Sequence, residues 1–484
     1  MKHEHLCCGG GISRRSFLQA MSASAAGIAA APGLMPVMTM GQGAVVREKR
    51  PAKVRGAFVY PPTKTLDEAG YYSWPGSSFN AEGRQQEYTS RIDEIQRRLG
   101  ITVQMDAQPL DTNEDATRFI AEVKAESPDG LLLIPFKKGH WGHVKRIIEE
   151  TGLPAIVLAT LGVLLVDHIN EMRKRPGVYL VNSFENLDAV EYGLRMIRAA
   201  RRMKEACLLN LAGQQAREDV VAGLGTLVRT VPLQRFYDTY AQTNIDDAVA
   251  RLARDYRQSA LEIVEPGDDD ITEAARAYFA LKTLIAEEQA DAIMMDCLPG
   301  LSRPHKHVPP CMGFMSLRDE GIPAGCQADL NPTLTMMLVQ ALFGLPGFQQ
   351  NAGMDTERNL YFGAHCTSPS KMNGPDGPAE RYILRSHAEA GWGCVPRVLF
   401  TPGQPATIAL YESGESPRML VYSGEIVECP PMPPAGGCRT NLLMRINEVD
   451  DVCDVKGMHQ AIFYGDHARD LRRFCQLYGI TAVT

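Results

Sequence analysis

Beyond residue 50 the chain has no uninterrupted apolar run of the roughly 20 residues that a membrane-spanning helix needs. Positive charge is not in excess either. Lys and Arg number 50 against 57 Asp and Glu, for a formal net charge of −7, and no basic domain stands out. That balance disfavours nucleic acid and other phosphate-backbone ligands. No G-x-G-x-x-G, no phosphate-binding P-loop and no nucleophile elbow appears in its expected strand-to-helix context, so nucleotide-dependent chemistry has no sequence carrier. Cysteine is sparse, 12 residues in 484 without a C-x-x-C pair, which excludes a disulfide-framework fold. Cys7 and Cys8 fall near the N-terminus; among the others, sequence distance favours Cys429 with Cys438, flanking PPMPPAGG, although connectivity is not deducible from spacing.

What is present at the N-terminus is Ser13-Arg14-Arg15-Ser16-Phe17-Leu18, followed by a weakly hydrophobic run rich in Ala, Gly and Ser. A charged region ahead of an apolar one marks an export signal, and this one is of the twin-arginine type. Residues 1–44 are therefore read as a signal peptide with cleavage between Ala31 and Ala44. The mature chain is expected in the periplasm or another extracytoplasmic space. No Cys follows the apolar run to carry a lipid anchor.

A chain of 484 residues exceeds one ordinary core, so two or three domains are expected. From Lys53, apolar runs (VRGAFVYPP, ITVQMDAQP, DGLLLIPF, LPAIVLAT) alternate with helical spacings over 83–99, 112–126 and 141–151. This alternation predicts a parallel sheet with helices on both faces over 51–175. A second such unit is expected over 176–345, opening at GVYLVNS (177–183) and ending in a strongly apolar helix over 333–344. After Pro346 short runs such as NLYFGAHC and RMLVYSGEIVEC are separated by Gly, Pro and Asp turns, and a helix over 466–478 follows. The expected fold class is α/β, with two doubly wound parallel-sheet domains and then a β-rich, antiparallel barrel-like domain over 346–484.

Histidines number only 11, so their positions inform. GHWGH (139–143) falls where a strand top meets a helix start, the end at which open α/β sheets bind ligands. RPHKHVPPC offers His305, His307 and Cys311 as zinc donors, without an apparent fourth. His365 and His387 end strands, and His459 precedes the apolar QAIFY. In GCQADLNPT (325–333), Pro332 suits a first helical turn and Asp329 or Asn331 suits its cap. Cys326-Gln327-Ala328-Asp329 is then left as a polar knot ahead of the helix. Oxygen and imidazole donors within 327–387 and at 459 would suit a divalent ion such as manganese.

PPCMGFMSLRDEGIPAGCQADLNPTLTMMLVQALFGLPGF, GAHC…RSHAE and HQAIFYGDHARDLRRFCQLYGI occur in this order. Together they resemble the L-fucose/L-arabinose isomerase superfamily over roughly 295–484. The resemblance implies a monosaccharide substrate, aldose–ketose interconversion through an ene-diol held on a divalent metal (usually manganese), and a homo-oligomer. It puts the family's two metal carboxylates on Gln327 and Asn351 and its C-terminal histidine on His459. An amide keeps one acceptor oxygen of a carboxylate but loses the charge and the capacity to take a proton. Asp329, Asp355 and His365 are the neighbouring substitutes. The expected catalytic residues are thus Gln327, Asn351 and Asp329; the metal ligands His459, Asp355 and His365; and the substrate contacts Lys371, Arg385 and His387. The alternative is a non-catalytic sugar-binding homologue that has lost its metal carboxylates, and a third reading is a zinc-assisted hydrolase or lyase built on His305 and His307.

Overall fold

The computed structural model describes residues 49–72, 76–184, 186–431 and 437–484; the expected export signal lies outside them. The alternation beginning at Lys53 forms β1 (Lys53–Val59), β2 (Thr102–Met105), β3 (Gly130–Pro135), β4 (Ala155–Thr160) and β5 (Val178–Ser183). They make a parallel sheet in the order β2-β1-β3-β4-β5. All of β3 is buried, as its unbroken apolar sequence requires. Helices Ala81–Leu99 and Leu187–Glu205 cover one face through Ile92, Ile95, Leu194 and Ile197. Helices Asn113–Glu126 and Trp141–Thr151 cover the other through Phe119, Ile120, Val144 and Ile147. Local chemistry sets the helix ends. The Asn80 side chain accepts the Gly83 N–H, and Thr112 and Asp115 cap each other reciprocally.

GVYLVNS does not open the second unit. It is β5, the edge of the first sheet, with Val178 opposite Ala155. Its free edge is tied to the last helix of the chain, Ala468–Tyr478, through Gln476 Nε2 to Val178 O at 2.8 Å and Gly177 N–H to Gln476 O at 2.9 Å. The second sheet starts at β6 (Cys207–Leu211) and continues with β7 (Arg217–Val220), β8 (Leu227–Val231), β10 (Ala292–Met295) and β11 (Ala324–Cys326). Its order is β11-β10-β6-β8-β7, parallel except for β7 at the edge. Helix Asp268–Glu287 packs on one face of it and helix Leu330–Phe343 on the other. The intervening β9 (Ala260–Ile263) pairs elsewhere, with β14 (Arg381–Arg385), which also pairs with β15 (Val395–Leu399).

The C-terminal region closes into a six-stranded antiparallel barrel. Its strands are β12 (Phe348–Asp355), β13 (Leu360–His365), β16 (Pro405–Glu412), β17 (Arg418–Glu428), β18 (Thr440–Ile446) and β19 (His459–Tyr464). They run β16-β19-β12-β13-β18-β17, and β17 pairs back onto β16. A short β20 (Thr481–Val483) adds parallel to β17. Helix Leu330–Phe343 is clamped between the second sheet and this barrel. Thr335 Oγ1 accepts the Tyr411 N–H at 2.8 Å, and Asn331 Oδ1 accepts the Ser413 hydroxyl at 2.8 Å.

A polar triad fills part of the barrel among apolar neighbours. Gln350 Nε2 donates to Gln460 Oε1 at 3.1 Å and to the Tyr361 hydroxyl, which itself donates to Gln460 Oε1. All three residues are fully buried. A Cβ on Gly363 would stand 3.0 Å from Gln350 Oε1, so glycine leaves the amide its room. Replacing Gln460 with Leu strands the Gln350 and Tyr361 donors and the Lys456 carbonyl. The expected loss is about 3 kcal/mol in urea unfolding, since each orphaned buried group costs on the order of 1–3 kcal/mol.

Candidate functional site

The polar knot is a strained turn held by side chains of the barrel. β11 ends at Cys326, after which Gln327 (φ +58°) and Ala328 (φ +51°) are both left-handed. Side chains other than glycine visit that region at a cost of about 1–2 kcal/mol per residue. The turn persists because it is tied at several points. Ala328 N–H reaches Met295 O at 2.9 Å. Gln349 of β12 clasps Cys326, taking its N–H at 2.8 Å and donating to its carbonyl at 3.2 Å.

The turn brings Asp329 to the N-cap position of helix Leu330–Phe343, with φ −81° and ψ 114°, yet neither expected cap forms. Asn331 is spent on Ser413. The Asp329 carboxylate instead meets His459 Nδ1 at 2.5 Å. The pair is mostly sheltered but reachable, with side-chain exposures of 32% for Asp329 and 16% for His459. His459 opens β19 directly opposite Asn351 of β12, so the two side chains leave the same face of the barrel. Gln327 stands two residues ahead of Asp329, half-buried.

His365 ends β13 with its ring 6.0 Å from that of His459 and nearly perpendicular to it. Both of its ring nitrogens are buried, and neither has a hydrogen-bond partner among the described residues. Burial first, and then the charges of Arg318 and the neighbouring histidines, push its pKa down to about 3, so the imidazole is neutral. His387 is buried too and held below its ordinary value mainly by that burial; its Nδ1 accepts the Ala390 N–H at 3.2 Å.

Arg318 is the residue that the sequence reading missed. It lies 1% exposed in helix Cys311–Asp319, with Nε to Ala324 O at 2.8 Å and Nη1 to Thr367 O at 3.4 Å, so it fixes the start of β11 against the loop after His365. A signal for it exists. Cys311, Phe314, Met315 and Arg318 share the i, i+3, i+4, i+7 stripe that faces the core.

The other expected site residues are engaged elsewhere. Asp355 closes β12, past Asn351 and the point where His459 pairs, and there accepts the Arg358 N–H at 3.1 Å. Lys371 Nζ caps the Pro375 carbonyl at 2.8 Å. Arg385 makes a two-point ion pair with Glu265 at 2.6 and 2.8 Å. The zinc trio does not converge: His305 stacks on Trp392, His307 is buried against Phe236 and Tyr237, and Cys311 packs with Cys366. In the first unit, His140 Nε2 meets Asp111 Oδ1 at 2.7 Å and His143 Nε2 meets the Asp111 carbonyl at 3.1 Å.

Among the described residues no three His, Cys, Asp or Glu side chains are placed to hold a metal ion. At the junction itself, His459 Nδ1 is committed to Asp329, and positions 327 and 351 carry amides. This donor set does not fit the manganese centre that the resemblance implies. Cysteine pairing differs from expectation as well. Cys429 Sγ lies 3.2 Å from the Phe400 nitrogen, which donates to it, while Cys438 Sγ faces Cys366 Sγ at 3.7 Å. All ten described cysteines are free thiols. No protein-family model matches the chain, and neither does any curated protein.

Buried histidines give a pH dependence with a definite sign, largest for His307 and His365. Burial lowers His307 to about 4 and His365 to about 3, from an ordinary 6.5. Below pH 6.5 the unfolded chain binds protons that the folded one refuses, so stability falls with pH down to the folded values. The slope reaches about 1.4 kcal/mol per pH unit for each histidine. Urea midpoints should drop between pH 7 and pH 5, and His365→Gln should flatten the drop.

Proposed function

We propose that the junction of the second sheet and the barrel binds a small neutral polyol of the monosaccharide class. His459, oriented by Asp329, moves the proton of an aldose–ketose interconversion there. One observation carries this reading: the Asp329–His459 pair at 2.5 Å, beside the Asn351 amide that leaves the same barrel face. A carboxylate on Nδ1 fixes the tautomer and turns Nε2 into the proton acceptor, the arrangement of a general base. Isomerising an aldose requires a C–H proton next to the carbonyl to be taken and then returned to the neighbouring carbon. Asn351, with Gln327 nearby, offers neutral donors and acceptors that match sugar hydroxyls. The same reading has the chain exported by the twin-arginine route, its two α/β units doubly wound, and copies of it associated as a homo-oligomer.

The second reading, a sugar-binding protein without catalysis, draws support from the same two amides. They carry no charge at the positions where the resemblance implies metal carboxylates. Incubating the purified protein in D₂O with a panel of aldoses separates the two. Deuterium at the carbon next to the carbonyl, lost roughly 100-fold in His459→Gln, supports proton transfer. Saturable sugar binding without exchange supports the binding protein, and neither exchange nor binding overturns both.

A further inference from the structure

The barrel ladder between β13 and β18 keeps one register from Tyr361 opposite Met444 to His365 opposite Thr440. The regular ladder stops there, and Cys366 and Cys438 lie just past it, in the irregular backbone that follows β13 and precedes β18. The two sulfurs lie 3.7 Å apart, and a bond between them requires an approach of less than about 2 Å. The remaining thiols nearby are otherwise placed. Cys429 is held at Phe400, and Cys311 packs behind Cys366 in the same buried cluster. Exposure then orders the pair: Cys366 is 8% exposed, whereas Cys438 is half-buried at the end of the PPMPPAGG segment.

We propose that Cys366 and Cys438 form a redox pair that closes to an intramolecular disulfide by exchange with a disulfide donor, and that the bridge braces the rim of the polar junction. The accessible Cys438 thiolate attacks one sulfur of the donor, forms a mixed disulfide and expels the first donor thiol. The Cys366 thiolate then attacks the Cys438 sulfur, forms the internal bond and expels the second. The two protein thiols give up two hydrogens, and one donor disulfide becomes two thiols. The bridge fastens the residue after His365 to the residue before Arg439. Arg439 Nε in turn holds the Ser386 carbonyl at 2.7 Å, next to His387. Closure therefore steadies the backbone next to His365 and, through Arg439, next to His387. The pair is 72 residues apart in sequence, so the cross-link restricts a long loop of the unfolded chain. None of this depends on which small molecule the junction takes.

The test uses the purified full-length mature chain, first reduced and then incubated with oxidised glutathione, blocked with an alkylating agent under denaturing conditions and mapped by mass spectrometry. The expected product is a peptide pair joined through Cys366 and Cys438, together with a melting temperature raised by roughly 5 °C. Cys366→Ser should stop at a glutathione adduct on Cys438. Three results overturn the proposal: both residues recovered in alkylated form after oxidation, a bridge from Cys438 to Cys429 or Cys311, or a wild-type product that stops at the glutathione adduct. The wild-type map decides by itself if the serine variant fails to fold.

Discussion

Burial of helix Leu330–Phe343 on every side is the constraint on which the rest of the molecule depends. It is buried continuously from Pro332 to Val339, with the second sheet against one side and the barrel against another. A helix enclosed in this way cannot leave polar groups idle, because an unpaired buried donor or acceptor costs on the order of 1–3 kcal/mol. Its polar residues are accordingly matched to the barrel: Thr335 to the Tyr411 N–H, Asn331 to Ser413 and Asp329 to His459. The last of these forgoes the ordinary cap and leaves a carboxylate–imidazole pair at the rim.

The barrel answers with a strand that serves two environments. In β12 the sequence Gln349-Gln350-Asn351 alternates faces, as strand geometry requires. Gln349 clasps Cys326, Gln350 joins Tyr361 and Gln460 in the buried triad, and Asn351 stands beside His459. Three consecutive amides thus hold the turn, fill the barrel and line the junction. The two left-handed residues at 327 and 328 are tolerated because Gln349 and the Met295 carbonyl leave the backbone no cheaper path.

Much of this was legible from sequence, for local reasons. Apolar runs marked most strands, helical spacing marked the crossover helices, and Gly/Pro/Asp punctuation marked the barrel. GVYLVNS falls in the first sheet and not the second, because an apolar run shows that a strand is buried but not which neighbour it pairs with. Asp329 looked like a cap because cap preferences are local, whereas its partner lies 130 residues away in sequence. Asp355, Lys371 and Arg385 lie close to motif residues in sequence, but a turn, a carbonyl and Glu265 use them first. Cys429 and Cys438 are near in sequence, yet the fold sets Cys438 beside Cys366 instead, where the chain leaves β13 and enters β18. In each miss a non-local partner outcompeted a local preference.

The Asp329–His459 contact joins the second sheet to the barrel. A double-mutant cycle with Asp329→Ala, His459→Ala and the double variant, read by urea unfolding at pH 7, tests it directly. The expected coupling is about 1 kcal/mol or more, since a mostly sheltered, charge-assisted contact is lost once and not twice. Additivity within about 0.3 kcal/mol would show that the two residues do not meet, and would contradict the account.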